Sequence, residues 1–370
     1  MDLHEHVPDF VNYNELASTQ CGGKILFATD DFFATAENLL KDEEPVWKEG
    51  EFTEFGKWMD GWETRRKRCA GHDWAIIQLK TPATIKGICV DTCYFSGNFA
   101  PRFSIAAANL PSTEFAIYQT RDSKMGSAAT EKDYIRVSAL QSEKWKVLVP
   151  QSNLQPGYPE TRKSYFRVFS NETWSHLRLN IFPDGGIARI RVYGVTKVDL
   201  SRLPSTQLMD LASKEVGGVC LQYSDAHYGH PRNLIKSGNS IGMADGWETA
   251  RRLDRAQIIE VDSNGILQVA GEEWAIFQLG CIGRVFRIEV DTTHFKGNYP
   301  DNVKLEGALI SSESNEIVWS PIITAQKLSP DTKHCYTVDI NQNLNPVSHV
   351  KVIIAPDGGL SRLRIWGYRL

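Results

Sequence analysis

The sequence has few cysteines and no long apolar stretch. Seven cysteines among 370 residues are an odd and sparse count, which is typical of free thiols in a reducing compartment. No apolar run approaches the ~20 residues that span a bilayer. The opening MDLHEHVPDF lacks the basic start and apolar core of a signal peptide. We therefore expect a soluble, cytoplasmic protein that does not associate with membranes, with an organelle as the open alternative.

An excess of one charge and the common cofactor motifs are also missing. The 41 basic residues oppose 45 acidic ones, so no overall field attracts nucleic acid. Neither a dinucleotide-binding glycine motif nor a P-loop is present. His227 and His230 come nearest to a metal cluster, but the first half of the chain has Phe32 and Thr35 at these positions. No cofactor is predicted, and dependence on a divalent metal stays open.

What the sequence does contain is a tandem duplication. GGKILFATDDFF from Gly22 matches GGVCLQYSDAHY from Gly217. Further matching blocks begin at Met59 and Ala244, Asp73 and Glu273, Val90 and Val290, and Ser175 and Ser348. The offset between the copies changes from block to block, which indicates insertions in surface loops. We predict an N-terminal extension at 1–21, repeat 1 at 22–194, a linker at 195–216 and repeat 2 at 217–370.

Each copy has the pattern of a β structure. Segments such as WAIIQL, ICVDTCYF and HLRLNIF are rich in β-branched and aromatic residues, and Gly, Pro, Asn or Ser separate them. Short helices are predicted only near residues 32–40 and 231–236. The fold class predicted is all-β, with two tandem jelly-roll-like β-sandwich domains that arose by internal duplication.

The last strand of each copy alternates between arginine and apolar residues. Arg189 and Arg191 fall on the opposite face from Ile190, and Arg362 and Arg364 repeat the pattern. We expect one buried face and one cationic, exposed face in these strands.

Three polar motifs occur in both copies and are candidate site elements. They are Asp-Gly-Trp-Glu-Thr-x-Arg, Asp-Thr-x-x-Phe-x-Gly-Asn and Pro-Asp-Gly-Gly. Their glycines and prolines are explained by turns alone, and a surface Glu–Arg pair would contribute only about 0–1 kcal/mol. Arginine also grips a carboxylate with two parallel bonds, asparagine pairs with amides, and a carboxylate exchanges protons. A small-molecule site that includes the repeated Glu and Arg is therefore predicted.

Together, DGWETRR, DGWETARR, DTxxFxGN and both PDGG segments resemble the allantoicase family, from about Gly22 to the C-terminus. The resemblance implies jelly-roll-like repeats that assemble into a homo-oligomer. It also implies hydrolysis of allantoate to ureidoglycolate and urea in the purine degradation pathway that passes through allantoin. Allantoate carries one carboxylate and two ureido groups on a single carbon, so its site needs an arginine clamp and several amide partners.

This resemblance and the chemistry of allantoate suggest roles for individual residues. The catalytic candidates, with general acid/base chemistry assigned to the glutamates, are Glu63, Glu248, Asp60 and Asp245. The substrate-binding candidates are Arg66, Arg251, Asn98, Asn298, Arg189, Arg362, Asp184, Asp357 and His294.

The two copies are not equivalent, which leaves alternatives open. Ala250 stands where copy one has Arg65, and His294 stands where it has Tyr94. Either one copy is catalytic, or the site is shared between repeats or subunits. His294 is an alternative proton carrier or a packed core residue. A non-catalytic small-molecule or carbohydrate-binding β sandwich is the alternative function, because such a fold does not fix an activity.

Overall fold

The computed structural model describes residues 7–111, 121–254, 258–310, 317–337 and 345–370. The chain divides into two compact units, with the main boundary between Lys197 and Val198. Each unit has its own buried apolar core. None of the helices in the described ranges is both long enough and apolar enough to cross a bilayer.

The first unit is built from short and medium strands around one long strand. Its strands are β1 (Asn14–Glu15), β2 (Lys24–Ala28), β3 (Phe52–Thr53), β4 (Gly56–Lys57), β5 (Trp62–Glu63), β6 (Asp73–Asp91), β7 (Arg102–Ala108), β8 (Lys146–Asn153), β9 (Lys163–Arg167), β10 (Trp174–Phe182), β11 (Gly186–Ile187) and β12 (Arg189–Thr196). Its helices are the 3₁₀ turns Asp9–Asn12, Ala36–Leu40 and Ser142–Lys144, and α1 (Glu131–Ser138).

The second unit largely repeats this order, but its short hairpin follows the Trp-Glu strand instead of preceding it. Its strands are β13 (Met209–Asp210), β14 (Val219–Tyr223), β15 (Trp247–Glu248), β16 (Glu260–Val261), β17 (Leu267–Gln268), β18 (Glu273–Asp291), β19 (Asn302–Ala308), β20 (Ser320–Lys327), β21 (Lys333–Tyr336), β22 (Val347–Ala355), β23 (Gly359–Leu360) and β24 (Arg362–Arg369). Its helices are the 3₁₀ turns Leu200–Arg202, Lys214–Val216, Pro231–Ile235 and Met243–Asp245.

The long strand β6 belongs to both layers of the first sandwich. The part of β6 nearest Asp73 pairs with β2 and β10, and β10 pairs in turn with β7. The part nearest Asp91 pairs with β12 and β9. In the second unit, β18 pairs in the same way with β14 and β22, and then with β24 and β21. The predicted all-β fold of two duplicated sandwiches is therefore confirmed.

The helices agree with the prediction in part. The predicted helical segments contain the 3₁₀ turns Ala36–Leu40 and Pro231–Ile235. The α-helix α1 was not predicted. Thr130 caps it by accepting a hydrogen bond from the Asp133 backbone N–H, and the Asp133 carboxylate accepts one from the Thr130 N–H. This reciprocal capping box stabilises the start of a helix.

Both sandwiches extend beyond the boundaries expected from the repeated blocks. The Leu16 N–H donates to the Val192 carbonyl at 2.9 Å, upstream of Gly22. Strand β13, which lies inside the expected linker, pairs with β24. A two-residue strand has no measurable periodicity, so the sequence does not reveal such edge pairings.

Packing explains why the second glycine of Pro-Asp-Gly-Gly is repeated. A Cβ atom on Gly186 would lie 2.1 Å from the ring of Phe95. Gly359 lies equally close to Phe295, where the distance would be 2.0 Å. Both phenylalanines belong to the Asp-Thr-x-x-Phe motif and are fully buried. The two motifs therefore recur together because one packs its aromatic ring on the bare backbone of the other.

We expect Gly186→Ala to lower the free energy of unfolding by about 1–3 kcal/mol, because overpacking a tight contact forces side chains out of their rotamers. Gly242→Ala is the matched control, since a Cβ there meets no atom within 4 Å. Thermal and denaturant unfolding measure both variants. Equal stability of the two variants would contradict this packing argument.

Candidate functional site

The first unit contains a cavity of about 990 Å³ at the loops that join its strands. All three repeated motifs contribute to its wall. The predicted site residues that line it are Glu63, Arg66, Asn98 and Asp184. The structure therefore brings together residues that lie more than a hundred positions apart in the sequence.

Glu63 is held in the cavity wall by strand pairing and by an amide. Its backbone in β5 pairs with Gly186 of β11 and forms a bridge with Ala34. The Asn98 Nδ2 donates to Glu63 Oε1 at 2.7 Å. Burial raises the pKa of Glu63, and the hydrogen bond from Asn98 opposes that rise only in part. A carboxyl group with a raised pKa retains its proton at higher pH and is suited to act as a general acid.

Arg66 is an exposed cation at the cavity, and it forms no ion pair with any described residue. Its neighbours on either side are both engaged. Arg65 Nη2 lies 2.7 Å from Asp30 Oδ2, and Lys67 Nζ lies 2.7 Å from Asp73 Oδ1. The Arg66 guanidinium is therefore available for an anionic ligand, which it can bind with two parallel hydrogen bonds.

Asp184 lines the cavity and also fixes the loop that carries Arg66. Its Oδ2 accepts a hydrogen bond from the Lys67 backbone N–H at 2.7 Å. Asp357 accepts the equivalent bond from the Arg252 N–H at 2.9 Å. In both units the aspartate of Pro-Asp-Gly-Gly therefore holds the backbone of the residue that follows Arg66 or Arg251, and so positions that arginine.

The second unit has a smaller cavity of about 330 Å³ at the equivalent place. The predicted residues that line it are Glu248, Arg251, Asn298 and Asp357. Asn298 Nδ2 donates to Glu248 Oε1 at 2.6 Å. Arg251 is exposed and forms no ion pair in the described part of the chain. The glutamate, asparagine and arginine arrangement is thus present twice.

The two cavities differ in charge and in their walls. Arg65 and Arg68 line the first cavity, whereas Ala250 and Leu253 occupy the corresponding sequence positions of the second copy. Leu253 is 97% exposed. The first cavity therefore has more positive charge in its wall than the second.

The expectation that Arg189 lies on an exposed cationic face is wrong. Arg189 is only 2% exposed, and its Nη2 lies 2.7 Å from Asp60 Oδ2. Lys41 Nζ also donates to Asp60, and the Arg189 Nε donates to the Glu43 carbonyl. Loop residues cover the polar face of the strand, so neither Asp60 nor Arg189 lines the cavity. The predictions of Asp60 as a catalytic residue and of Arg189 as a substrate-binding residue are therefore corrected to a buried ion pair.

The same correction applies to Asp245 and Arg362 in the second unit. Arg362 is 4% exposed, and its Nη2 lies 2.5 Å from Asp245 Oδ2. Lys236 Nζ donates to the other carboxylate oxygen at 2.7 Å. Burial opposes ionisation of Asp60 and Asp245, but the hydrogen bonds from lysine and arginine outweigh it and lower the pKa of both carboxyl groups.

His294 does not line the second cavity. Its Nε2 lies 2.9 Å from the Ser240 carbonyl oxygen, and its backbone N–H donates to Asp331. The residue has a positive φ of 75°. The prediction of His294 as a substrate-binding residue is therefore not supported by its position.

Sequence reasoning missed one pair of positioning residues. Asp30 Oδ1 accepts a hydrogen bond from the Arg65 N–H, and Asp225 Oδ2 accepts one from the Ala250 N–H. The Asp30 and Asp225 carbonyls also accept bonds from the indoles of Trp62 and Trp247, both at 2.8 Å. Both aspartates occupy the same position of the first repeated block. Their repetition was therefore the sequence feature that could have identified them.

Within the described ranges, no group of three or more His, Cys, Asp or Glu side chains is arranged to hold a metal ion. His227 and His230 pack edge-to-face against different tyrosine rings, Tyr228 and Tyr223.

The duplicated sandwich and its clefts define a class: a two-repeat β protein with a small polar ligand site in each repeat. Comparison with known proteins makes the family specific. Residues 14–197 and 209–370 match the family described as "Allantoicase repeat". A "Probable allantoicase" of Pseudomonas aeruginosa (strain UCBPP-PA14) is 39% identical over 369 residues, which cover 98% of each chain. One of Ralstonia nicotianae is 37% identical and covers 99% of this chain and 98% of the relative.

Solved structures agree with these matches. The chain superposes on a solved structure of allantoicase with a TM-score of 0.70 and 32% identity, covering 97% of this chain and 94% of the other. The allantoicase of Saccharomyces cerevisiae gives a TM-score of 0.69 and 33% identity over 96% of this chain and 93% of that one. The chain belongs to the allantoicase family. It is an enzyme, a hydrolase that acts on carbon–nitrogen bonds of linear amidines.

We expect Asp60→Ala to destabilise the first unit by about 3–5 kcal/mol, because it leaves the buried Arg189 without its partner charge. Arg66→Ala is the control, since removal of an exposed and unpaired side chain changes stability by about 0.5 kcal/mol or less. Denaturant unfolding of both variants measures the difference. A stable Asp60→Ala protein would contradict the structural assignment of the pair.

Proposed function

We propose that this protein hydrolyses allantoate to ureidoglycolate and urea in purine degradation, and that the cavity of the first unit carries the reaction. One observation carries the proposal: Glu63, bonded to Asn98, shares a cavity wall with Arg66, which has no partner charge among the described residues. Proteins named as allantoicases match almost the whole chain, which supports the same substrate.

Binding follows from the groups that the cavity offers. The Arg66 guanidinium pairs with the allantoate carboxylate, because its planar fork matches two carboxylate oxygens. The Asn98 side chain pairs with a ureido group, since an amide both donates and accepts hydrogen bonds. Asp184 acts as a positioning residue through the Lys67 N–H.

The reaction breaks the bond between the central carbon of allantoate and one ureido nitrogen. Protonated Glu63 donates its proton to that nitrogen, which leaves as urea with the electrons of the broken bond. The nitrogen of the remaining ureido group supplies electrons to the central carbon as the bond breaks. Water then adds to this carbon, and the Glu63 carboxylate takes a proton from it. The product is ureidoglycolate, and Glu63 regains its proton.

The first unit suits this chemistry better than the second. Its cavity is about 990 Å³ against about 330 Å³, and Arg68 adds positive charge around the anionic substrate. Ala250 and Leu253 supply none in the second unit. We therefore assign turnover to the cavity of Glu63. The cavity of Glu248 is a duplicate site of lower activity.

The alternative of a non-catalytic carbohydrate-binding module has less support. Relatives that match nearly the full length are named as allantoicases. Assembly into a homo-oligomer stays a prediction from the family, and light scattering of the purified protein tests it.

The test of the function is urea release from allantoate by the purified protein, before and after incubation with a chelator. Chelator-resistant release supports proton transfer by side chains such as Glu63. Release that is abolished by the chelator and restored by a metal would move the catalytic role to a bound ion. A protein that releases no urea in either condition would refute the proposed reaction.

We expect Glu63→Gln to lower kcat about 10²–10⁴-fold, the range that general acid–base groups contribute. Glu248→Gln is the matched control in the second unit, and its effect should be less than about threefold. Initial rates of urea release measure both. Loss of activity in Glu248→Gln alone would transfer the reaction to the second unit.

The pH profile separates an acid from a purely structural Glu63. Burial raises the pKa of this carboxyl group, and the reaction needs its protonated form. The value of kcat therefore falls as pH rises through that raised pKa. Glutamine does not titrate, so the residual kcat of Glu63→Gln should not fall over this pH range. A fall of kcat that persists in the variant would belong to another group.

A further inference from the structure

The first unit also has a smaller cavity that borders the Glu63–Asn98 pair. It has a volume of about 200 Å³. Phe33, Glu63 and Asn98 line both this cavity and the large one. These three residues therefore form a shared wall of the two cavities, and Glu63 is part of it.

The small cavity has the chemistry of a pocket for a planar amide. Trp47 and Tyr94 form one side, with ring centroids 5.5 Å apart and planes inclined by 39°. Lys57 Nζ lies 4.0 Å from the centre of the Trp47 ring, on which it is held. Ser96 and Asn98 supply hydrogen-bonding groups. Flat polar groups pack on aromatic faces while their edges form hydrogen bonds.

Size separates the two spaces. Pockets for ligands of drug size measure about 300–1,000 Å³, so the large cavity falls within that range and the small one below it. The small cavity thus suits a fragment with few atoms, such as a ureido group.

The side chains around the equivalent glutamate and asparagine are different in the second unit. Met243 Sδ lies 3.6 Å from Asn298 Nδ2. His294, at the position of Tyr94, is bonded to the Ser240 carbonyl. Asn298 is therefore in contact with a flexible thioether, and the imidazole at the position of Tyr94 is held by a loop carbonyl.

We infer that the small cavity is a leaving-group pocket: it holds the ureido group that departs as urea, while the large cavity holds the carboxylate and the retained ureido group. This inference rests on the proposed hydrolysis of allantoate. The bond that breaks then lies at the shared wall, beside Glu63, which donates the proton to the departing nitrogen. Trp47 and Tyr94 are binding residues for the departing group, and urea leaves through the small cavity.

Two variants of opposite kind test the pocket. Trp47→Ala removes one wall of the small cavity, and Ser96→Phe fills it; both side chains are partly or fully exposed, so folding is preserved. Phe169→Ala, at a ring that is 91% exposed elsewhere in the same unit, is the control. The measurements are kcat/KM for allantoate and the inhibition constant of N-carbamoylglycine. This probe has a carboxylate and one ureido group, and so matches the retained half of the substrate.

We expect both pocket variants to lower kcat/KM about tenfold, the order that an aromatic contact contributes. The inhibition constant of N-carbamoylglycine should change less than about twofold, because the large cavity is intact. The control should change neither value.

Three results would overturn the pocket. They are an unchanged kcat/KM in both variants, a rise of the inhibition constant in step with the loss of activity, and no inhibition of the wild type by the probe. A wild type that releases no urea from allantoate refutes the proposed function instead. If the wild type hydrolyses allantoate but the pocket variants do not behave as expected, the leaving-group pocket is wrong and the proposed function stands.

Discussion

The buried ion pair between Asp60 and Arg189 holds the site segment against the sandwich. Asp60 begins the Asp-Gly-Trp-Glu-Thr motif, and Arg189 begins the last strand of the first unit, so their contact at 2.7 Å joins distant parts of the chain. Three residues after Asp60 the same segment presents Glu63 to the cavity. Two desolvated charges gain little net stability from their attraction, but each becomes costly without the other. The pair therefore specifies where the segment lies, and Asp245 with Arg362 does so in the second copy.

Duplication kept this scaffold and let the two clefts diverge. The glutamate–asparagine bond occurs in both units, at 2.7 Å and 2.6 Å. What differs is the surrounding side chains, with Arg65 against Ala250 and Tyr94 against His294. Substitution at such loop positions alters charge and volume without disturbing the strands. Two copies of one arrangement can therefore differ in how well they bind and turn over a substrate.

The sequence predicted the all-β duplication, because spaced blocks repeat in order. It selected Glu63 and Arg66 as charged residues that turns do not require, and Asn98 as a partner for an amide. It did not predict the burial of Arg189. Alternation shows which residues share a strand face, but a loop that folds over that face leaves no periodic signal. The unequal cavity volumes depend on how many separate loops meet, which one local pattern does not encode. The helix α1 lies in a segment of the first copy that has no counterpart in the second, so the duplication did not indicate it. Its capping box, Thr130 with Asp133, is present in the sequence.

The long strands β6 and β18 have a consequence for cooperativity. Each strand of 19 residues takes part in both layers of its sandwich, so its backbone hydrogen bonds connect the two layers without an intervening loop. Separating one layer would expose the apolar side chains of the strand on which the other layer depends. We therefore expect each sandwich to open as a whole, so that its central amides exchange with solvent only when the domain unfolds.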